Sequence, residues 1–264
     1  MFQFGCRAIY QSDMYSAIKE AKKFDFQVLE LHCNAPKFAP ENFSKKERIK
    51  IKRFAKENNI ILQTHAPLEL SLIFTNSHIR EAVKLCLKDL VTFSRDIGAR
   101  CLTLHPGKAA MYNTADGKKS KDDDIYSEYY SKLFEDSIKY IVSIAKKDVF
   151  VCIENTDNFT PKYMRILSKY LPLGKIFLTL DIMKCYTYTD IRLIRNQWDF
   201  FVKNKKYVKN IHASGALHGG LRGWEKKIKK FFRLFNFSGL SVIIEILPIK
   251  NAVETKKLLD TLKK

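Results

Sequence analysis

What the chain lacks narrows it first. No apolar run approaches the roughly 20 residues that a membrane-spanning helix needs, so no membrane partner is expected. The opening residues, MFQFGCRAIYQSD, carry no long apolar stretch and no cleavage-site pattern. A secretion signal is therefore not expected, and a cytoplasmic location is. None of the six cysteines, at 6, 33, 86, 101, 152 and 185, forms a Cys-x-x-Cys pair. Several lie in apolar runs such as RCLTLH and VFVCIE, which reads as free, buried thiols in a reducing compartment. No linker and no low-complexity tract interrupts the chain. Acid is in deficit: 28 Asp and Glu stand against 47 Lys and Arg, a net charge of +19. Charge of that size can favour polyanions. Arginine is nevertheless scarce, 11 against 36 Lys. Many Lys fall on expected helix faces, in KKERIKIKRFAK (45–56) and KKIKKFFR (226–233), where a solvated surface would place them.

What is present is an alternation. Short β-rich runs occur at FQFGC (2–6), QVLELHC (27–33), IILQTH (60–65), RCLTLH (100–105), VFVCIE (149–154), KIFLTLD (175–181), YVKNIH (207–212) and LSVIIEI (240–246). Amphipathic segments separate them, roughly 13–24, 44–58, 77–97, 124–147, 160–171, 189–204, 223–236 and 251–263. The helical reading rests on spacing such as Ile79, Val83, Leu87, Leu90. Eight strand–helix units that fill residues 1–264 predict one domain, a single α/β (β/α)8 barrel. An open doubly wound sheet would alternate in the same way, but eight units that fill the chain with nothing left over favour the barrel. The connection 106–123, PGKAAMYNTADGKKSKDD, is long and polar, which marks a lid or substrate loop, or a disordered segment.

The strand ends carry the chemistry. A buried strand ordinarily finishes on a turn former, yet 149-VFVCIENTDNF-159 delivers Glu154. The second strand ends at His32, the third at His65 and the fourth at His105. The sixth ends at Asp181, the seventh at His212 and the eighth at Glu245. Four of the six histidines are strand-terminal. In a barrel all these ends meet at one face, where active sites lie. Carboxylates and imidazoles that close apolar strands face desolvation unless paired or metallated. Glu154, Asp181, His212 and Glu245 form an oxygen-rich set that suits Mn²⁺, Mg²⁺, Co²⁺ or Zn²⁺. His65 and His105 add a second, nitrogen-rich position favouring Zn²⁺, with Glu154 bridging. One or two divalent metals per chain are expected. His32 is read as a hydrogen-bonded support, Glu30 as orienting a neighbour or lining the barrel, His78 as surface. Trp198 and Trp224 are read as packing, and Asn155 and Thr156 as caps of the next segment, with a ligand contact as the alternative.

The ordered motifs THAP, LHPG, IENT and LTLD, with the seventh-strand His and the eighth-strand Glu, resemble the xylose isomerase-like TIM-barrel superfamily. That group includes sugar and sugar-phosphate isomerases and epimerases, and endonuclease IV. The resemblance implies that Glu154, Asp181, His212 and Glu245 hold one metal. It implies that Glu154 and Glu245 are the catalytic pair moving a proton beside a carbonyl, on a small sugar or sugar phosphate. The loop 213-ASGALHGGLRGW-224 resembles the family's loop after the seventh strand, so His218 and Arg222 are expected at substrate oxygens, with a turn and a surface Arg as the alternative. Lys184 stands where both branches carry a His, and would bind a hydroxyl or phosphate, or fill a metal's place with its own charge. The endonuclease IV branch implies the alternative, a zinc phosphodiesterase acting on abasic DNA. Lys184 and Ala216 replace two ligands of that branch's third zinc. A non-catalytic metal-binding barrel is a further alternative, against which the two intact Glu argue.

Overall fold

The computed structural model describes residues 2–262 except 116, 122–125, 157–158, 187–190, 216–218 and 236–238. In chain order the strands are β1 (Gln3–Ala8), β2 (Val28–His32), β3 (Ile61–His65), β4 (Cys101–Leu104), β5 (Met111–Thr114), β6 (Gly117–Ser120), β7 (Phe150–Glu154), β8 (Ile176–Asp181), β9 (Val208–Ala213) and β10 (Ser241–Ile244). The helices are α1 (Met14–Lys23), α2 (Lys45–Glu57), α3 (Ser77–Asp96), α4 (Ser127–Ile144), α5 (Pro161–Tyr170), α6 (Ile191–Lys203), α7 (Glu225–Leu234) and α8 (Ile249–Leu262). Eight strands close a parallel barrel in the order β1-β2-β3-β4-β7-β8-β9-β10, as the strand–helix alternation predicts. Each expected helix forms within a few residues of its expected ends. Side-chain caps set several starts: Asp13 and Ser16 form a reciprocal capping box at α1, Ser44 and Glu47 another at α2, and Asn76 caps α3.

Two elements differ from expectation. β1 runs two residues past Cys6, so Arg7 lies in a strand and not in a loop. Within 106–123, expected as loop, β5 and β6 pair as an antiparallel hairpin. Gly117, at φ +111°, opens the returning strand opposite Thr114.

Alternation along the strands sorts the side chains. Leu29, Leu62, Leu102, Val151 and Leu178 face out and join the apolar core with Leu87 and Leu90 of α3 and Phe134 and Ile138 of α4. Each such burial is worth about 1.5–3 kcal/mol. Many of the inward positions are polar, where a TIM barrel usually places branched apolar residues. Gln63 donates to Ser241 Oγ at 2.6 Å, and the Thr103 and Thr179 hydroxyls meet at 2.9 Å. Asn210 donates to Glu30 Oε2 at 3.2 Å. Arg100 reaches Gln3, Ser241 and the Gly239 carbonyl at the amino end of the barrel. Towards the carboxyl end this buried polar column becomes titratable.

Candidate metal centre and active site

Strand register brings the ends together. His32 pairs with His65, Glu154 with Thr179, and Asp181 with His212. His105 and Glu245 each follow the last residue of their strand, β4 and β10. Glu154 is the hub. Its Oε2 meets His65 Nε2 at 3.3 Å and His105 Nε2 at 2.9 Å, and its Oε1 meets His212 Nδ1 at 2.9 Å. His212 Nδ1 also lies 3.5 Å from Glu245 Oε1, so one imidazole nitrogen stands between the two glutamates. His212 Nε2 lies 3.2 Å from Glu30 Oε2. The His32 ring stacks on His65 with centroids 4.6 Å apart.

The local chain explains several orientations. In the THAP motif His65 Nδ1–H donates to the Ala66 carbonyl at 2.8 Å, which turns Nε2 towards Glu154. In LHPG, Gly107 adopts φ +96°, and a Cβ there would collide with Ser71. Asp181 Oδ1 accepts the backbone N–H groups of Met183 at 2.8 Å and Lys184 at 3.4 Å. Asn155 does not act as a cap. Its side chain is fully buried, accepts from Asp181 N at 2.7 Å, and donates to Asp181 O at 3.1 Å and to Gln197 Oε1 at 3.2 Å. It therefore braces β7 against β8 beneath the site.

Glu30, Glu154, Asp181 and Glu245 are all buried, and their charges must be compensated. Burial pushes Asp181 up, helped by Glu154 and Glu245, to about 8. Burial would raise Glu154 too, but His212 and His105 hold it well below the carboxylate range. For Glu30, burial is likewise outweighed, by His212, His65 and His32, leaving it at about 2. Burial would lower His212, yet Glu30, Glu245 and Glu154 raise it well above its ordinary value. His32 goes the other way, driven well down by burial and by His65.

Two groups place ligand atoms within 4.8 Å of one another: His65, His105 and Glu154, and Glu30, His212 and Glu245. Imidazole nitrogens aimed at carboxylate oxygens in a buried site are the chemistry a divalent cation fits. Glu30 Oε1 and His32 Nε2 have no hydrogen-bond partner, which leaves further donor capacity.

These groups open on a cavity of about 360 Å³. Of the sequence-derived site residues, Glu154, Asp181, Glu245, His65, His105 and Lys184 line it. His212 sits behind Glu154 and Glu245. Arg222 is exposed in the turn before α7 and does not line it. His218 and Ala216 lie outside the described residues. His78 is exposed, and Trp198 and Trp224 pack on the core. Sequence reasoning passed over Arg7, Asn34 and Lys108, which also line the cavity, and left Glu30 out of the site. Glu30 was accessible to it, because it precedes His32 by two and so shares its face of the strand.

No curated protein sequence matches the chain. Among solved structures it is similar to a D-tagatose 3-epimerase-like protein, at TM-score 0.76 and 16% identity over 99% of this chain and 97% of that one. It is similar to 3-keto-D-glucoside 4-epimerase from E. coli, at 0.74 and 13% over 100% and 99%. Endonuclease IV from Thermus thermophilus aligns at 0.71 and 14% over 98% and 99%. At such identities the likeness speaks for the fold. The family model described as xylose isomerase-like TIM barrel matches residues 18–264, and with its closed parallel barrel the chain belongs to that family.

Proposed function

We propose that the protein is a metal-dependent isomerase or epimerase of a sugar or sugar phosphate. One observation carries the reading: two buried glutamates, Glu154 and Glu245, flank a single imidazole and border one cavity. Two carboxylates on opposite sides of a substrate carbon suit inversion beside a carbonyl, one removing the proton and the other returning it on the opposite face. The cavity volume falls at the small end of the ~300–1,000 Å³ range of ligand pockets, which suits a monosaccharide. Glu154, Asp181, His212 and Glu245 would hold one metal, and His65 and His105 with Glu154 a second. The ion, Mn²⁺, Zn²⁺, Co²⁺ or Mg²⁺, would supply polarisation of the carbonyl and hydroxyl oxygens. The neighbours named as epimerases lend the reading support by fold.

The test is solvent exchange. Metal-loaded protein is incubated in D₂O with a panel of ketoses, and carbon-bound deuterium is read by NMR. Glu154→Gln and Glu245→Gln should each lose roughly 10²–10⁴-fold in rate. Full turnover by either variant would sink the two-carboxylate mechanism.

The meeting of His65, His105 and Glu154 supports a second reading, a zinc phosphodiesterase acting on abasic DNA. Lys184, a wall residue where that branch has a metal-binding His, weighs against it. Zinc-dependent cleavage of an abasic duplex, with no exchange on any ketose, would select it.

A further inference from the structure

Arg7 is the anomaly of the cavity. It faces inward from β1, opposite Glu30 in register, and its Nε is buried without a hydrogen-bond partner. No hydrogen bond or ion pair joins its guanidinium to any described residue. The half-buried arginines elsewhere behave differently. Arg48 reaches Asp96 and two carbonyls, Arg80 two carbonyls, and Arg100 a carbonyl and two side chains. A guanidinium drawn out of water and left without an acceptor costs stability. Four buried carboxylates lie in the same barrel mouth, yet none pairs with it. Its field helps keep the adjacent His32 uncharged. Lys108 and Lys184 line the same cavity from the loops after β4 and β8. The wall is thus cationic around a floor of carboxylates and imidazoles.

We propose that the substrate is a phosphorylated ketose and that Arg7 binds its phosphate. The assignment rests on the isomerase or epimerase reading and narrows it. A planar guanidinium with free donors matches two oxygens of a phosphate. A dianion also answers a wall with three cations better than a neutral sugar or a single carboxylate does. The ketose then spans the barrel mouth from Arg7 on β1 towards Glu154 on β7, four strands away.

The experiment compares pairs of probes on the metal-loaded full chain by calorimetry: fructose with fructose 6-phosphate, and ribulose with ribulose 5-phosphate. The phosphorylated member should bind at least roughly tenfold more tightly in one pair. Arg7→Gln should erase that preference while leaving metal stoichiometry unchanged, and Arg7→Lys should restore part of it. Equal binding within both pairs overturns the assignment, as does a preference that survives in Arg7→Gln. Inorganic phosphate that binds wild type and Arg7→Gln alike also overturns it, since the anion then sits elsewhere. Tighter binding of 2-ketogluconate than of either phosphate overturns it in favour of a carboxylate. Deuterium exchange on the same probes separates the two levels. An Arg7-dependent phosphate preference without exchange keeps the assignment and defeats the isomerase or epimerase reading. Exchange into the free ketose as fast as into its phosphate keeps that reading and defeats the assignment.

Discussion

Glu30 has no solvent exposure, and one of its oxygens has no donor. Its other oxygen faces His212 Nε2 and Asn210 Nδ2, both at 3.2 Å. A carboxylate on the far nitrogen of an imidazole fixes the ring and raises the basicity of the near nitrogen. Here the near nitrogen is Nδ1, between Glu154 and Glu245. Glu30→Gln keeps the volume and removes the charge. It should weaken metal binding roughly 10–100-fold, measured by competition with a chromogenic chelator. Unchanged affinity would show that His212 is held by packing alone. The strand-terminal residues were legible because each closes an apolar run with a group that cannot be left bare. Arg7 and Lys108 were not. Arg7 looked like a loop residue once the strand was ended at Cys6. Lys108 is one Lys among 36 in the sequence, and nothing local distinguishes it from a surface one.

At the scale of elements, the period of apolar residues located every barrel strand and every helix, with ends displaced by a few residues where caps decide. The β5–β6 hairpin escaped because its strands are short and polar and carry no apolar signal. Barrel closure followed from the count of eight units, but the packing at its seam did not, because it depends on how tightly β1 approaches its two neighbours. Gly5 is the point of approach. A Cβ there would lie 2.6 Å from Ile243 Cδ1 and 2.8 Å from Val28 Cβ, so β10 and β2 both crowd it. Gly5→Ala should cost about 1–3 kcal/mol through overpacking, read as a lower urea midpoint at unchanged slope. Its effect should exceed that of the Ala substitution at Gly117, where a Cβ meets nothing but φ is +111°. A larger loss at Gly117 would mean that backbone strain outweighs packing at the seam.

For the whole molecule, the polar interior makes stability depend on what occupies the carboxyl end. In the metal-free fold Asp181 keeps its proton up to about 8, whereas an unfolded Asp loses it near ~3.9. The folded state therefore binds the extra proton between those values, and this contribution to stability falls as pH rises through them. His65 and His212, both raised, act in the same direction above the unfolded His value of ~6.5. A bound cation needs these groups deprotonated, so it displaces their protons and is favoured as pH rises. The gain in Tm on adding Mn²⁺ should then grow as pH rises from 6.5 through 8. At a hundredfold excess over Kd the gain corresponds to about 2.7 kcal/mol, or on the order of 5–10 °C for a chain of this size. Scanning calorimetry at four pH values decides it. A gain that is the same at every pH would mean that the cation binds without displacing these protons, and so outside the cluster around Glu154.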